Sequence, residues 1–390
     1  MKLDHFHTEL ASVLPEMIAL RRQIHQHPEL AYEEHATSDL VAARLQAWGY
    51  EVHRGIAGTG LVGRLRHGSG ARTLGLRADM DALPIVEETG LPYASRQSGK
   101  MHACGHDGHT ATLLAAARHI AQTRRFNGTL NLIFQPAEEG AGGARRMVEE
   151  GLFTRFPCDA IFALHNAPGM PVGTLAFRSG AALASADGVS IVLKGKGGHA
   201  AMPHLSLDPI VAGASIVMAL QTIVSRNTNP LDAAVVTVGV FQSGVANNVI
   251  PASARLELSV RALNREVRAM LKERIHALVA AQAQSFGVTA EVVWRDGYPV
   301  LVNTPEETGF ATRVGIELLG EASVVADAPP VTGSEDFAFM LDHRPGCYLF
   351  LGNGAGEGSC MVHNPGYDFN DAAMETGAAY WSLLTERFLT

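Results

Sequence analysis

In the run Met101-His102-Ala103-Cys104-Gly105-His106-Asp107-Gly108-His109, a thiol and an imidazole sit on either side of one glycine. A loop with no bulky side chain between them can aim both at the same point. Sulfur and nitrogen donors at that spacing are how borderline divalent cations are held. Asp107 stands where an N-cap belongs, ahead of small and apolar residues from Gly108 to Ala117 that suit a packed helix, so the loop is expected to be fixed to a rigid element. Taken alone, the pair also fits a buried cysteine beside surface histidines. Other segments have to decide between the two readings.

Glu138-Glu139 is the second informative pair. Adjacent carboxylates at a strand end cannot both reach one cation without strain, so one can ligate while its neighbour lies beside a bound water as proton acceptor. The β-rich runs Thr73–Ala78, Gly128–Phe134 and Ala160–Leu164 end next to Asp79-Met80-Asp81, Glu138-Glu139 and His165-Asn166. Three strands are therefore expected to deliver Asp81, Glu138-Glu139 and His165 to one edge of one sheet, the edge at which open α/β sheets bind ligands. His363, in the loop from Met361 to Asp371, is a further candidate donor. Cys360 is a rival, set aside because Cys104 has the tighter spacing. His102, His109 and His204 read as ordinary histidines. Gly140 to Gly143 lacks the Gly-Lys-Ser/Thr ending of a phosphate loop, no Gly-x-Gly-x-x-Gly follows the first strand, and no Gly-x-Ser-x-Gly elbow is present. Metal chemistry is what remains.

The elements that must position these residues read as an α/β fold. Helical spacing runs from about Leu14 to Gln26 and from about Thr37 to Trp48, and strands alternate with helices, which makes a mixed, mostly parallel sheet flanked by helices. From about Ser185 the order becomes strand, helix, strand, strand, helix, strand, that of a ferredoxin-like α+β unit. The expected organisation is a catalytic domain of 1–183 and 296–390 interrupted by an inserted domain of 184–295. A length of 390 residues suits two such cores. The formal charge of −8, without a basic cluster, argues against nucleic acid as a partner and for a small molecule. The longest apolar run, Pro209–Leu220, reads as a core helix too short for a bilayer. Four widely spaced cysteines and no apolar leader point to a cytoplasmic chain without disulfides.

With Asp79-Met80-Asp81, Cys104-Gly105-His106-Asp107, Glu138-Glu139, His165-Asn166, Gly198-His199 and His363-Asn364-Pro365 in this order, the chain resembles the M20 family of metallopeptidases over nearly its whole length. The closer likeness is to the amidohydrolase branch of hippurate hydrolases, N-acyl-amino-acid deacylases and plant auxin-conjugate hydrolases. The resemblance implies a zinc-peptidase-like fold and a centre of two divalent ions, with Cys104 bridging and His106, Glu139, His165 and His363 as the other ligands. It also implies Glu138 as general base on a metal-bound water and Asp81 as the carboxylate that orients a ligand imidazole. Asp79 stands where dipeptidase relatives carry a metal histidine. The inserted segment resembles a lid and dimerisation domain, so a homodimer or homotetramer is expected. There His199 resembles a group that stabilises an oxyanion, while Asn247 and Arg261 resemble residues that hold substrate. Many relatives carry an aromatic residue where this chain has Ala167, which bears on the acyl pocket. The donor types suit zinc, cobalt, nickel or manganese. The implied reaction is hydrolysis of an N-acyl amino acid. The alternatives are a dipeptidase or carboxypeptidase of the same superfamily, or a metal-binding protein without turnover.

Overall fold

A computed structural model describes residues 3–354 and 360–390 and falls into two compact units. The first holds Met1–Gly180, Val302–Pro329 and Asp336–Thr390; the second holds Ala181–Leu301 and Pro330–Glu335.

The first unit is built on an eight-stranded sheet. Its strands are β1 (Glu51–Ile56), β2 (Gly60–His67), β3 (Thr73–Asp79), β4 (Gly128–Gln135), β5 (Ala160–Ala167), β6 (Leu175–Ala176), β7 (Val324–Val325) and β8 (Gly346–Gly352), in the spatial order β1-β2-β4-β3-β5-β8-β6-β7. The four central strands β4, β3, β5 and β8 are parallel, whereas β1, β2 and β6 join antiparallel. The sheet is thus mixed with a parallel centre, as the alternating pattern predicts. Burial explains the arrangement. Strands β3 and β4 are buried along almost their whole length, the mark of strands covered on both faces.

Helix His106–Thr123 is buried nearly throughout and packs with Leu14–Gln26 and Ala373–Phe388. Small residues make that depth attainable. A Cβ on Gly108 would meet the Phe369 ring at 2.2 Å, and one on Gly377 would meet Thr112 at 2.5 Å. Two sequence expectations change here. Strand β5 runs on through His165 and Asn166 to Ala167, because its pairing with β8 continues to Gly352. Asp107 is not the cap of its helix: Gly105, at φ +94°, starts it, and the Asp107 carboxylate is drawn into buried ion pairs instead.

Those pairs tie three segments together. Arg21 is fully buried; its Nη1 donates to Asp107 at 3.2 Å and Asp368 at 2.6 Å, and its Nε donates to Asp371 at 2.9 Å. His25, one turn on, lies 2.9 Å from Asp107 and 3.3 Å from Glu87. Helix Leu14–Gln26, the start of the Cys-His helix and the loop after His363 are thereby clamped to one another.

The second unit has a four-stranded antiparallel sheet in the order Ala234–Ser243, Ser253–Ala262, Ser185–Lys194, Thr289–Tyr298. Helices Pro209–Thr222 and Arg265–Ser285 pack together and against it, capped by the side chains of Asp208 and Asn264. This is the ferredoxin-like order expected. The first helix continues as a π turn, Ile223–Asn227. The resulting 19-residue segment is, by length and composition alone, apolar enough to cross a membrane. It is therefore longer than the apolar run suggests, and only one face is core: Ala212, Ile216, Leu220 and Ile223 are buried, while Val211 and Met218 are exposed.

Two predictions follow from the clamp. Removing Arg21 leaves buried carboxylates without their cation, so Arg21→Met should destabilise the first unit by about 3–5 kcal/mol in urea unfolding; a loss near zero would mean that the clamp carries no stability. At His25, burial disfavours the charge, but Asp107 outweighs it and the imidazole is raised to about 9 from an ordinary 6.5. Its contribution is fully present below pH 6.5 and is lost as pH rises through 9. Scanning calorimetry at fixed metal content should show the wild-type melting temperature falling across that window relative to His25→Gln. Parallel curves would contradict the shift.

Candidate metal centre

Strands β4, β3 and β5 are neighbours and parallel, so their carboxyl ends open onto one place. From the end of β3 come Asp79 and Asp81, from β4 Glu138 and Glu139, and from β5 His165. Cys104 and His106 enter from the loop that starts the buried helix. His363 enters from the Cys360–Asp371 loop, where its backbone is left-handed (φ +65°) and its N–H donates to Ala103 O at 2.6 Å. That one bond seats the distant loop beside the Cys-His turn.

Side-chain atoms of three overlapping sets each lie within 4.8 Å of one another: Cys104, His106 and His165; Cys104, Glu139 and His363; His106, Glu138 and Glu139. Cys104 is shared by two of the sets. Its sulfur is 3.3 Å from His165 Nε2. Glu139 Oε1 is 3.2 Å from His363 Nε2 and 3.9 Å from His106 Nε2. All six candidate residues for the centre, the five donors and Glu138, are thus brought together.

Carboxylates and carbonyls only accept hydrogen bonds, and this assigns the imidazole tautomers. His165 Nδ1 donates to Asn166 O at 2.8 Å, which leaves the Nε2 lone pair toward Cys104. His106 Nδ1 donates to Asp81 at 3.3 Å, and its buried Nε2 has no hydrogen-bond partner among the described residues. Against its burial, Asp79 and Cys104 raise the His106 imidazole well above its ordinary value, so a cation at this buried Nε2, next to a thiol and a carboxylate, displaces a proton. Burial, followed by the Glu139 charge, pushes the Cys104 thiol well up. Burial pushes His165 well down and so keeps it neutral, whereas His363 is raised chiefly by its bond to Glu139. A divalent cation reverses the thiol's preference, since a coordinating thiol loses its proton outright. One sulfur, three imidazoles and a carboxylate fit a borderline divalent ion.

Asp81 does more than face His106. It is buried, its Oδ1 accepts the Glu138 N–H at 3.0 Å, and its Oδ2 accepts the Glu139 N–H at 2.9 Å. A single carboxylate therefore fixes one imidazole and two successive peptides. Glu138 Oε1 in turn accepts the Asp336 N–H at 3.4 Å.

Several residues here escape a reading by motif. His109, which reads as an ordinary histidine, is buried; its Nδ1 donates to Asp79 at 2.7 Å and its Nε2 accepts the Asn166 N–H at 3.0 Å. The Asn166 amide donates to Cys104 O at 2.6 Å, and the Tyr367 hydroxyl donates to Asn166 Oδ1 at 2.6 Å. Asp79 is held by Arg77 at 2.6 Å. The available signal was the three-residue spacing of His106 and His109, which puts both on one helix face. His102 is buried like His109, whereas His204 is exposed in the second unit.

Among the other expected residues, Cys360 is half-buried and joins none of the three sets. All four cysteines are free. Ala167 ends β5, where its carbonyl accepts the Asn353 N–H at 3.1 Å. His199, Asn247 and Arg261 belong to the second unit. His199 is exposed and pairs across a short antiparallel ribbon with Val249, two residues beyond the exposed Asn247. Arg261, half-buried, donates to Ser334 Oγ at 2.9 Å, so it is not the free surface charge that an arginine at a strand end usually is.

Comparison with known proteins agrees with this geometry. The model of peptidase family M20/M25/M40 matches residues 75–387. The chain is 43% identical over 381 residues to the hippurate hydrolase of Campylobacter jejuni, covering 98% of each. It is 39% identical to the N-acetyl-L-cysteine deacetylase of Bacillus subtilis, covering 94% of this chain and 86% of that one. Among solved structures, a dinuclear metal binding peptidase from the M20 family of Bacillus subtilis superposes with a TM-score of 0.84 at 32% identity, covering 99% of both chains. The chain belongs to peptidase family M20/M25/M40, in its amidohydrolase branch.

Proposed function

We propose that this protein hydrolyses the amide bond of N-acyl L-amino acids, releasing a carboxylic acid and a free amino acid. The observation that carries the reading is the convergence of Cys104, His106, Glu139, His165 and His363 at one sheet edge, with a second carboxylate, Glu138, beside them. Cys104, His106, Glu139, His165 and His363 would hold the divalent ions, and a site built only to store metal has no use for the extra acid.

Two divalent ions at these donors, zinc, cobalt, nickel or manganese by donor type, would polarise the scissile carbonyl and lower the pKa of water. The chain's own residues do the rest. Glu138, its backbone pinned by Asp81 and its carboxylate touched by the Asp336 N–H, takes the proton of the attacking water and passes it to the departing amine. Asp81 keeps the His106 ring turned so that Nε2 faces the cluster. His199 steadies the oxyanion, and Asn247 and Arg261 hold the substrate's amide or carboxylate. In this reading residues 184–295 form the lid and the contact surface of a homodimer or homotetramer, and Ala167 widens the acyl pocket. Four free cysteines support work in the cytoplasm.

Cleavage of a peptide rather than an acyl amide is the second reading, favoured by the solved M20 peptidase of similar shape. N-acetyl, N-benzoyl and dipeptide substrates, tested before and after chelation with metal content measured alongside, separate the two. The expected result is hydrolysis of the acyl amides, its loss on chelation and its return with two equivalents of metal. Preference for dipeptides would favour the peptidase, and no turnover by the fully loaded protein on any of them would sink both readings. Glu138→Ala should keep its metals and lose roughly 10²–10⁴-fold in kcat. A metal-loaded variant of near-normal activity would show that the base is another group.

A further inference from the structure

The loop that carries Glu138 and Glu139 is conformationally awkward. Ala137 is fully buried and takes a left-handed backbone, φ +56°, that residues with a Cβ rarely adopt. Its carbonyl accepts the Gly143 N–H at 3.0 Å, and a Cβ on Gly143 would stand 1.7 Å from Pro136 O, so the chain doubles back on itself there. A rotation at Ala137 swings both following carboxylates. Something has to hold the turn, because such conformations persist only where the surroundings over-determine them.

That something is Glu34. Its side chain is fully buried, and Oε1 accepts the Ala137 N–H at 2.9 Å together with the N–H of Tyr32, another left-handed residue, at 3.1 Å. Oε2 accepts the Thr59 hydroxyl at 2.5 Å. Glu34 stands just ahead of helix His35–Ala47, yet it does not cap that helix. Glu29 does so, accepting the N–H groups of Ala36 and Thr37, both at 2.9 Å. Glu34 is therefore free of the duty its place in the sequence suggests, and its carboxylate reaches a loop 103 residues away. Burying it is unfavourable: desolvation, with the nearby Asp81 charge, raises it to about 7. A carboxylate kept in so costly a place, with three donors converging on it, has a positional task.

We propose that Glu34 is a positioning residue for the Glu138-Glu139 pair, setting the direction of both carboxylates by holding the left-handed Ala137 peptide. It touches none of the candidate ligands and acts only through the backbone. The inference rests on the assignment of Glu139 to a cation and Glu138 to the proton.

The test uses the full chain, stripped with chelator and titrated with Zn²⁺ or Mn²⁺, and then the reloaded enzyme well below its melting temperature. Glu34→Ala should weaken binding of at least one cation by about 10–100-fold and lower kcat by a similar factor with KM little changed. Glu34→Gln should restore both to within about threefold, since its amide oxygen still accepts the Ala137 N–H and its amide nitrogen can donate to Thr59. Should Glu34→Ala not fold, Glu34→Asp, which keeps the charge but shortens the reach by one methylene, is expected to show the same weakening. Normal cation affinity and kcat in the folded Ala or Asp variant would overturn the proposal, as would a Gln variant no better than Ala. The two readings fail separately. If Glu138→Ala stays active, the cation titration still reports whether Glu34 places Glu139; if Glu138→Ala is dead while the Glu34 variants behave as wild type, only the positioning role falls.

Discussion

The geometry of the candidate centre hangs on one buried carboxylate, Asp81. It receives the His106 imidazole on one oxygen and the successive N–H groups of Glu138 and Glu139 on both, so three of the site's side chains are aimed by a single group. A carboxylate taken out of water needs such donors to remain favourable. The same donors are the groups whose direction matters. Satisfying Asp81 and organising the site are one requirement, and this explains why the two strand ends that supply the partners must be adjacent: β3 brings Asp81, and its parallel neighbour β4 brings the pair of glutamates.

Around this group buried charges are clustered. Arg77 serves Asp79, Arg21 serves Asp107, Asp368 and Asp371, and His109 bridges Asp79 to Asn166. Breaking such pairs is far more harmful than forming them is favourable, so they specify geometry more than they add stability. The Arg21 pairs and the His109 bridge tie to their neighbours segments that also carry a candidate ligand: the Cys-His turn, the His165 strand end and the His363 loop. Small residues complete the arrangement. Gly105 is the sharpest case, since a Cβ there would meet Asn166 Nδ2 at 2.4 Å and the Tyr367 hydroxyl at 2.6 Å.

The second unit follows a different logic. Its sheet is antiparallel and half-buried, with strands such as Ser185–Lys194 alternating inside and outside residue by residue. Its core lies between that sheet and two helices. The residues of chemical interest, His199 and Asn247, lie exposed at a short ribbon outside this core. Arg261, the third candidate of this unit, sits instead on a strand of its sheet, half-buried.

What the sequence determined by itself was the list of strand ends and the donors attached to them. Period and composition gave the helix from about Leu14 to Gln26, the central strands to within a few residues, and the ferredoxin-like order of the second unit. Cys104, His106, Glu138, Glu139, His165 and His363 stood out as candidates through donor spacing and strand or loop ends, which are local features, and were joined into one ligand set by the family resemblance. The edge strand β1, the short N-terminal helix Leu3–Leu10 and the return of Pro330–Glu335 to the second unit were not. Only the tertiary structure decided that Asp107 is an ion-pair partner rather than a cap, that His109 and Tyr367 hold Asn166, and that Glu34 reaches across to Ala137. Each of those outcomes depends on a buried polar group finding partners far away in the chain. Such partners are chosen by packing, which no local pattern of residues encodes.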